Sequence, residues 1–183
     1  MIDSRNERQM LASRKEAGYV RTESFEEIGR PGHFAFVEVW RDQKALDSHE
    51  TSATTKRFRD MLETVRISDY DERPYTVLTV QPSSNVINAQ ATYVITHVDT
   101  LNPTAGQELL ERLATASRKD PGCLRFHVLQ RASRKNHFTL IEAWKTRKAL
   151  DDHVQTVHVR EYRDGLHAIS GGPLDERLYK LLP

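Results

Sequence analysis

Two side chains in the second half of the sequence, His153 and Glu142, are suited by type and spacing to move a proton. His153 follows Leu150 by three residues and precedes Val157 by four, so it lies on the apolar stripe of a helix and points inward. An imidazole near its neutral-pH titration is a suitable base for a phenol. The bland alternative is a buried histidine bonded to a backbone carbonyl or to Glu142. Glu142 shares a strand face with Leu140 and Trp144. A carboxyl there needs a partner, so it either orients His153 or ties the helix to the sheet. Trp144 is either an aromatic wall for a flat substrate or core. His158 lies five residues after His153, about 140° around a single helix, so the two do not share a face. HExxH motifs and paired Cys/His spacings are absent, and no metal is expected. GxGxxG and GxxxxGK loops are absent too, which argues against a nucleotide cofactor.

The elements that must position these groups are written twice. At an offset of 104 residues, SRKEAG from Ser13 answers SRKDPG from Ser117, and HFAFVEVW (33–40) answers HFTLIEAW (137–144). KALDSH (44–49) answers KALDDH (148–153), and DERPY (71–75) answers DERLY (175–179). Residues 13–78 carry 23 identities without a gap, where average composition gives roughly four by chance. A repeat of this strength decides the architecture. His49, Glu38 and Trp40 match His153, Glu142 and Trp144, but Thr54 stands opposite His158 and Glu23 opposite His127.

The second copy reads as a strand over 92–99, then a helix with Thr104 as N-cap and Gln107 three residues on. Asp120-Pro121-Gly122 ends that helix. Strands follow at 123–131 and 137–144, then one helix over about 147–168, then a strand at 176–182. The order β-α-β-β-α-β is the ferredoxin-like split unit, an α+β fold. At the same offset the counterpart of the strand at 92–99 would fall before residue 1, so the first copy is expected to lack its opening strand and to begin in a helix over about 4–14. The expected division is a truncated unit at 1–82, a linker at 83–90 and a complete unit at 91–183. Each sheet has an apolar face away from its helices, so the two are expected to pack face to face as an intramolecular pseudo-dimer. The unpaired edge left by the missing strand invites a homodimer as well.

Lys and Arg number 27 against 26 Asp and Glu, mixed along the chain, for a net charge of +1. That is no electrostatic footprint for nucleic acid, nor a basic patch for a membrane. No stretch approaches the roughly 18 apolar residues of a membrane span. The polar start and the single cysteine, Cys123, suggest a cytoplasmic setting.

The second copy resembles the antibiotic biosynthesis monooxygenase (ABM) domain, a dimeric α+β barrel. The resemblance rests on the Asp-Pro-Gly-Cys turn at 120–123, Phe126, Phe138, Glu142 with Trp144, Ala149 and Leu150 with His153, and His158 followed by Tyr162. It implies a cleft between sheet and helices. It also implies a monooxygenase that uses O2 on a small aromatic substrate (quinol, phenol or anthrone-like) without a cofactor, the substrate supplying the electrons. His153, Glu142 and Trp144 would be catalytic there, and His158, His127, Phe126 and Tyr162 would bind substrate. Two other readings stand beside it. One is a non-catalytic small-molecule binding or scaffolding protein of the same fold. The other is an isomerase or degradative enzyme of another barrel branch. Only the second copy is expected to be competent.

Overall fold

The computed structural model describes residues 13–80 and 90–182. The expected helix over 4–14 and the linker at 83–90 lie outside these residues, apart from Ser13, Arg14 and Gln90. The chain is α+β and carries two ferredoxin-like units in tandem. Its elements, in order, are β1 (Tyr19–Glu27), β2 (Phe34–Trp40), α1 (Gln43–Glu50), α2 (Ala53–Leu62), β3 (Tyr75–Thr79), β4 (Thr92–Asp99), α3 (Pro103–Ser117), β5 (Cys123–Arg131), β6 (His137–Trp144), α4 (Arg147–His153), α5 (Val157–Ile169) and β7 (Asp175–Leu181).

The compact units do not follow the repeat boundary. One holds residues 13–24 and 36–72; the other holds 25–35 and the described residues from 73 onward. The larger unit contains an antiparallel sheet in the order β7-β4-β6-β5-β3, with the 25–27 end of β1 paired to β7. The four strands of the second copy thus run 4-1-3-2, as the split βαβ pattern requires. Both outer strands of that quartet are covered by first-copy sequence: Phe25 stands opposite Leu181, and Tyr75 opposite Arg131. Hydrogen-bonded neighbours of this kind remove the open edges that a four-stranded sheet would expose.

Strand alternation sorts the sheet into two faces. Val94, Val98, Phe126, Val128, Phe138, Leu140 and Trp144 face α3, α4 and α5, and join Leu110, Leu113, Leu150, Val159 and Tyr162 in one core. On the other face Tyr93, Ile141 and Ala143 are also buried, and Phe25 packs on Tyr93 (ring centroids 5.0 Å apart) and Tyr179 (6.3 Å). Every residue of β6 is therefore buried.

Two boundaries depart from expectation. Asn102, not Thr104, caps α3, its side chain accepting from the Ala105 N–H at 3.1 Å. The helix expected over 147–168 is two helices. Thr156 takes an extended conformation at the N-cap of α5, and its hydroxyl donates to the His153 carbonyl at 2.8 Å. The smaller unit repeats the break: Ser52 caps α2, its hydroxyl accepting from the Thr55 N–H at 3.1 Å. A hydroxyl residue competes with the helical ladder at this place in both copies.

Candidate functional site

The break between α4 and α5 builds the site. His153 ends α4 and His158 sits in the first turn of α5, so the two rings approach from different helices, with centroids 5.6 Å apart. Between them stands Asp120, in the turn that leads from α3 to β5. Gly122 makes that turn with φ +85°, a conformation open to glycine at no steric cost, and its carbonyl accepts from the Lys145 N–H at 2.8 Å. The Asp120 Oδ2 atom accepts from His153 Nδ1 at 2.7 Å and from His158 Nε2 at 2.9 Å. The angular argument that separated the two histidines assumed one continuous helix, and the break removes its premise. The imidazole and carboxylate atoms of this trio lie within 4.8 Å of one another, which makes them the metal-ligating candidates among the described residues.

His153 is 5% exposed and lies flat on Trp144, with ring centroids 4.3 Å apart and 27° between planes. Phe126 meets it edge-on at 5.9 Å. Burial, the largest influence, lowers the pKa of His153 from its ordinary value, against the hydrogen bond and charge of Asp120. Nδ1–H is committed to Asp120, which leaves Nε2 as the nitrogen with a lone pair to offer. Trp144 is fully buried and spends its indole N–H on Glu142 Oε2 at 2.9 Å. Burial pushes the Glu142 carboxyl up to about 8, opposed by that same bond. Glu142 is therefore a protonated acid at neutral pH, and its partner is Trp144. No hydrogen bond joins it to His153 among those described.

Beneath α4 and α5 lies a cavity of about 30 Å³, lined among others by Thr96, Phe126, Glu142, His153, Tyr162 and Glu176. Two hydroxyls there, Thr96 Oγ1 and Tyr162 Oη, are buried without a hydrogen-bond partner among the described residues. Such orphans are uncommon in folded proteins and call for an occupant. Burial also raises the pKa of the Tyr162 phenol.

Of the expected site residues, the structure gathers His153, Glu142, Phe126 and Tyr162 at this cavity. Trp144 supports His153 from below. His158 reaches the trio but does not line the cavity. His127 does not join them: it follows Phe126 on β5, pairs with Ile141 and faces the other side of the sheet. Adjacent strand residues cannot share a face, so Phe126 and His127 could not both have served. Thr96, Glu176 and Asp120 were not anticipated. Alternation from Val94 and Val98 places Thr96, and the repeat pairs Asp120 with Glu16.

In the smaller unit His49 lies on Trp40 in the same way, 4.4 Å between centroids and 29° between planes. Its two ring nitrogens meet different carboxylates: Nδ1 lies 2.9 Å from Glu16 Oε2, and Nε2 lies 3.1 Å from Glu38 Oε2. Burial opposes charge on His49, but hydrogen bonds to Glu38 and Glu16 outweigh it and leave the pKa raised. The two histidines thus shift in opposite directions, and His49 has no nitrogen left to act as a base.

The family described as antibiotic biosynthesis monooxygenase matches residues 6–61 and 93–165. The fold is similar to a Fusobacterium nucleatum protein named provisionally as a monooxygenase, with TM-score 0.79 and 14% identity, covering 100% of this chain and 88% of that one. A provisionally named monooxygenase of Lactobacillus acidophilus gives TM-score 0.71 at 17% identity, over 97% of this chain and 84% of the other. At such identities the likeness is one of fold. An uncharacterized Synechocystis protein is 31% identical over 65 residues, which is 36% of this chain and 44% of that relative. The match therefore spans less than half the length of that relative. Among the described residues no helix is long and apolar enough to cross a membrane.

Proposed function

The chain belongs to the antibiotic biosynthesis monooxygenase family, and from that premise we propose that its second copy oxidises a small aromatic substrate, a quinol, phenol or anthrone-like molecule, with O2 and without a cofactor. The observation that carries this reading is the cavity where His153, Glu142 and the hydroxyls of Thr96 and Tyr162, which have no described hydrogen-bond partner, converge. His153 Nε2 takes the acidic proton of the substrate, with Asp120 holding the ring in the tautomer that leaves this nitrogen basic. The electron-rich anion passes electrons to O2, and one oxygen bonds to the ring carbon. The peroxide takes the proton back from His153, and loss of the remaining C–H proton to the same nitrogen then breaks the O–O bond, so that the carbon becomes a carbonyl and the second oxygen leaves as hydroxide, to be protonated to water. A CH2 oxidised to C=O gives up four electrons and O2 accepts four, so no external reductant is needed. Glu142 is placed to give the departing oxygen its proton, and pairing a buried acid with a lowered-pKa base divides the two tasks.

A volume of about 30 Å³ holds a water or a hydroxyl-sized group, far below the roughly 300–1,000 Å³ of a small-molecule site. The aromatic ring must therefore enter past the rim, where Leu174 lines the cavity and is 40% exposed. Oxygen uptake with a panel of quinols and anthrones tests the reading, and His153→Ala should lower turnover by about 10²-fold. Full activity in that variant removes His153 from the chemistry. Saturable substrate binding without oxygen uptake favours the non-catalytic alternative.

A further inference from the structure

We propose that Asp120, His153 and His158 form a binding site for one divalent first-row transition-metal ion. Two imidazole nitrogens and one carboxylate oxygen converge from three elements. Imidazole with a carboxylate suits zinc, cobalt, nickel and iron(II), and a set of two histidines and one carboxylate leaves further positions open. For bonds of about 2.1 Å, ligands at right angles stand about 3.0 Å apart. The two N···O distances here, 2.7 and 2.9 Å, are close to that. The ion would displace the proton of each hydrogen bond, and each imidazole would offer that nitrogen's lone pair to it.

An ion can also reach the site. The side chains of Asp120 and His158 are 15% and 22% exposed, whereas His153 is nearly enclosed. The ion would approach from the His158 side, away from the cavity. Ring packing already orients one ligand, with Trp144 and Phe126 holding the His153 ring, whereas Thr156 Oγ1, 3.1 Å from His158 Nε2, contacts the ligating nitrogen itself and would have to yield it to the ion. The smaller unit shows what is required. Glu16 and Glu38 meet opposite nitrogens of His49, and Thr54 replaces the second histidine, so no three ligands converge there.

The site has a consequence for the oxidation proposed above, and this consequence rests on that reading. A metal on His153 Nδ1 moves the ring proton to Nε2, where the substrate's proton would have gone. Metal binding and general-base action are then mutually exclusive.

Titration of the full chain with Co2+, followed by its visible d–d absorption and by calorimetry, tests the proposal without any substrate. The expected result is one ion per chain with micromolar affinity. His158→Thr, which installs the residue that the first copy carries, and Asp120→Asn should each weaken binding at least about tenfold. Asp120→Glu, the first copy's acid, should retain binding. His49→Gln and His137→Gln should not alter it, His137 being a buried histidine of β6 whose Nδ1 lies 2.9 Å from Asp99 Oδ1, outside the trio. Circular dichroism of each variant separates lost ligands from lost fold. No saturable binding below about 1 mM Co2+, or binding abolished by His137→Gln but not by His158→Thr, overturns the site. Co2+ binding with the expected variant pattern but undiminished oxygen uptake leaves the site standing and removes His153 as the base.

Discussion

Replacing Glu142 by glutamine should make the protein more stable as pH rises, relative to the parent. The carboxyl has an ordinary pKa of 4.5 and is pushed up to about 8 in the folded chain. Its folded pKa is raised, so its contribution is intact below pH 4.5 and is lost as pH climbs to 8. Within that window the unfolded chain releases the proton while the folded chain keeps it, and unfolding gains the difference. A gap of about 3.5 pH units at about 1.4 kcal/mol each comes to about 5 kcal/mol. That is comparable to the whole stability of many domains, about 5–15 kcal/mol. Glutamine keeps the carbonyl that accepts from Trp144 and has no proton to lose, so it resembles the protonated acid. Urea unfolding of both proteins at pH 5 to 9, followed by tryptophan fluorescence, measures the effect. The difference between them should grow by about 1.4 kcal/mol per pH unit up to about pH 8 and then level off. Other titrating groups cancel in the difference. A gap that does not change with pH would show that Glu142 ionises in the folded protein, and its role as an acid donor would fall with that.

The remaining predictions concern asymmetry and packing. His49→Ala should leave oxygen uptake within about twofold while His153→Ala loses about 10²-fold; equal losses in one assay refute the division of labour between the copies. Trp144→Phe removes the only described donor to Glu142 and should cost about 1–3 kcal/mol in urea unfolding. Phe25→Ala should cost about 3–5 kcal/mol, because a fully buried ring packed on Tyr93 and Tyr179 is lost; a loss below 1 kcal/mol would mean that the β1 end contributes little to the sheet.

The second copy's strands were readable because β4, β5 and β6 alternate or are rich in β-branched and aromatic residues and lie between turn residues. The α4–α5 break was also written in the sequence, as a hydroxyl residue at the same place in both copies, but the apolar stripe of 150, 154, 157 and 166 ran through it and read as one helix. Asp120 was visible only as a helix stop and as part of the turn that carries the family resemblance. Its second role depends on which turn comes to rest beside His153, 33 residues away, and nothing local specifies that. The pairing of Tyr75 with Arg131 and of Phe25 with Leu181 was equally out of reach. Period and turn chemistry report what a strand is, whereas its neighbour is chosen by the tertiary fold. The repeated Glu-x-Trp and Ala-Leu-x-x-His marked the histidine and tryptophan of each copy, but their stacking was not legible, and the sequence offered Glu142 as the partner of His153.

The first-copy strands that cover both edges of the second copy's sheet bear on how such a gene can change. Cutting the reading frame between the repeats would leave the downstream fragment with two raw edges and no means of covering them except by recruiting another chain, so the halves are not separable cassettes even though they are duplicates. In a symmetric assembly encoded by one short gene, any substitution is inherited by every site at once. Fusion lifts that restriction: one copy can keep supplying edge strands while its own site changes, and the two copies here differ at Thr54 against His158 and in the partners of His49.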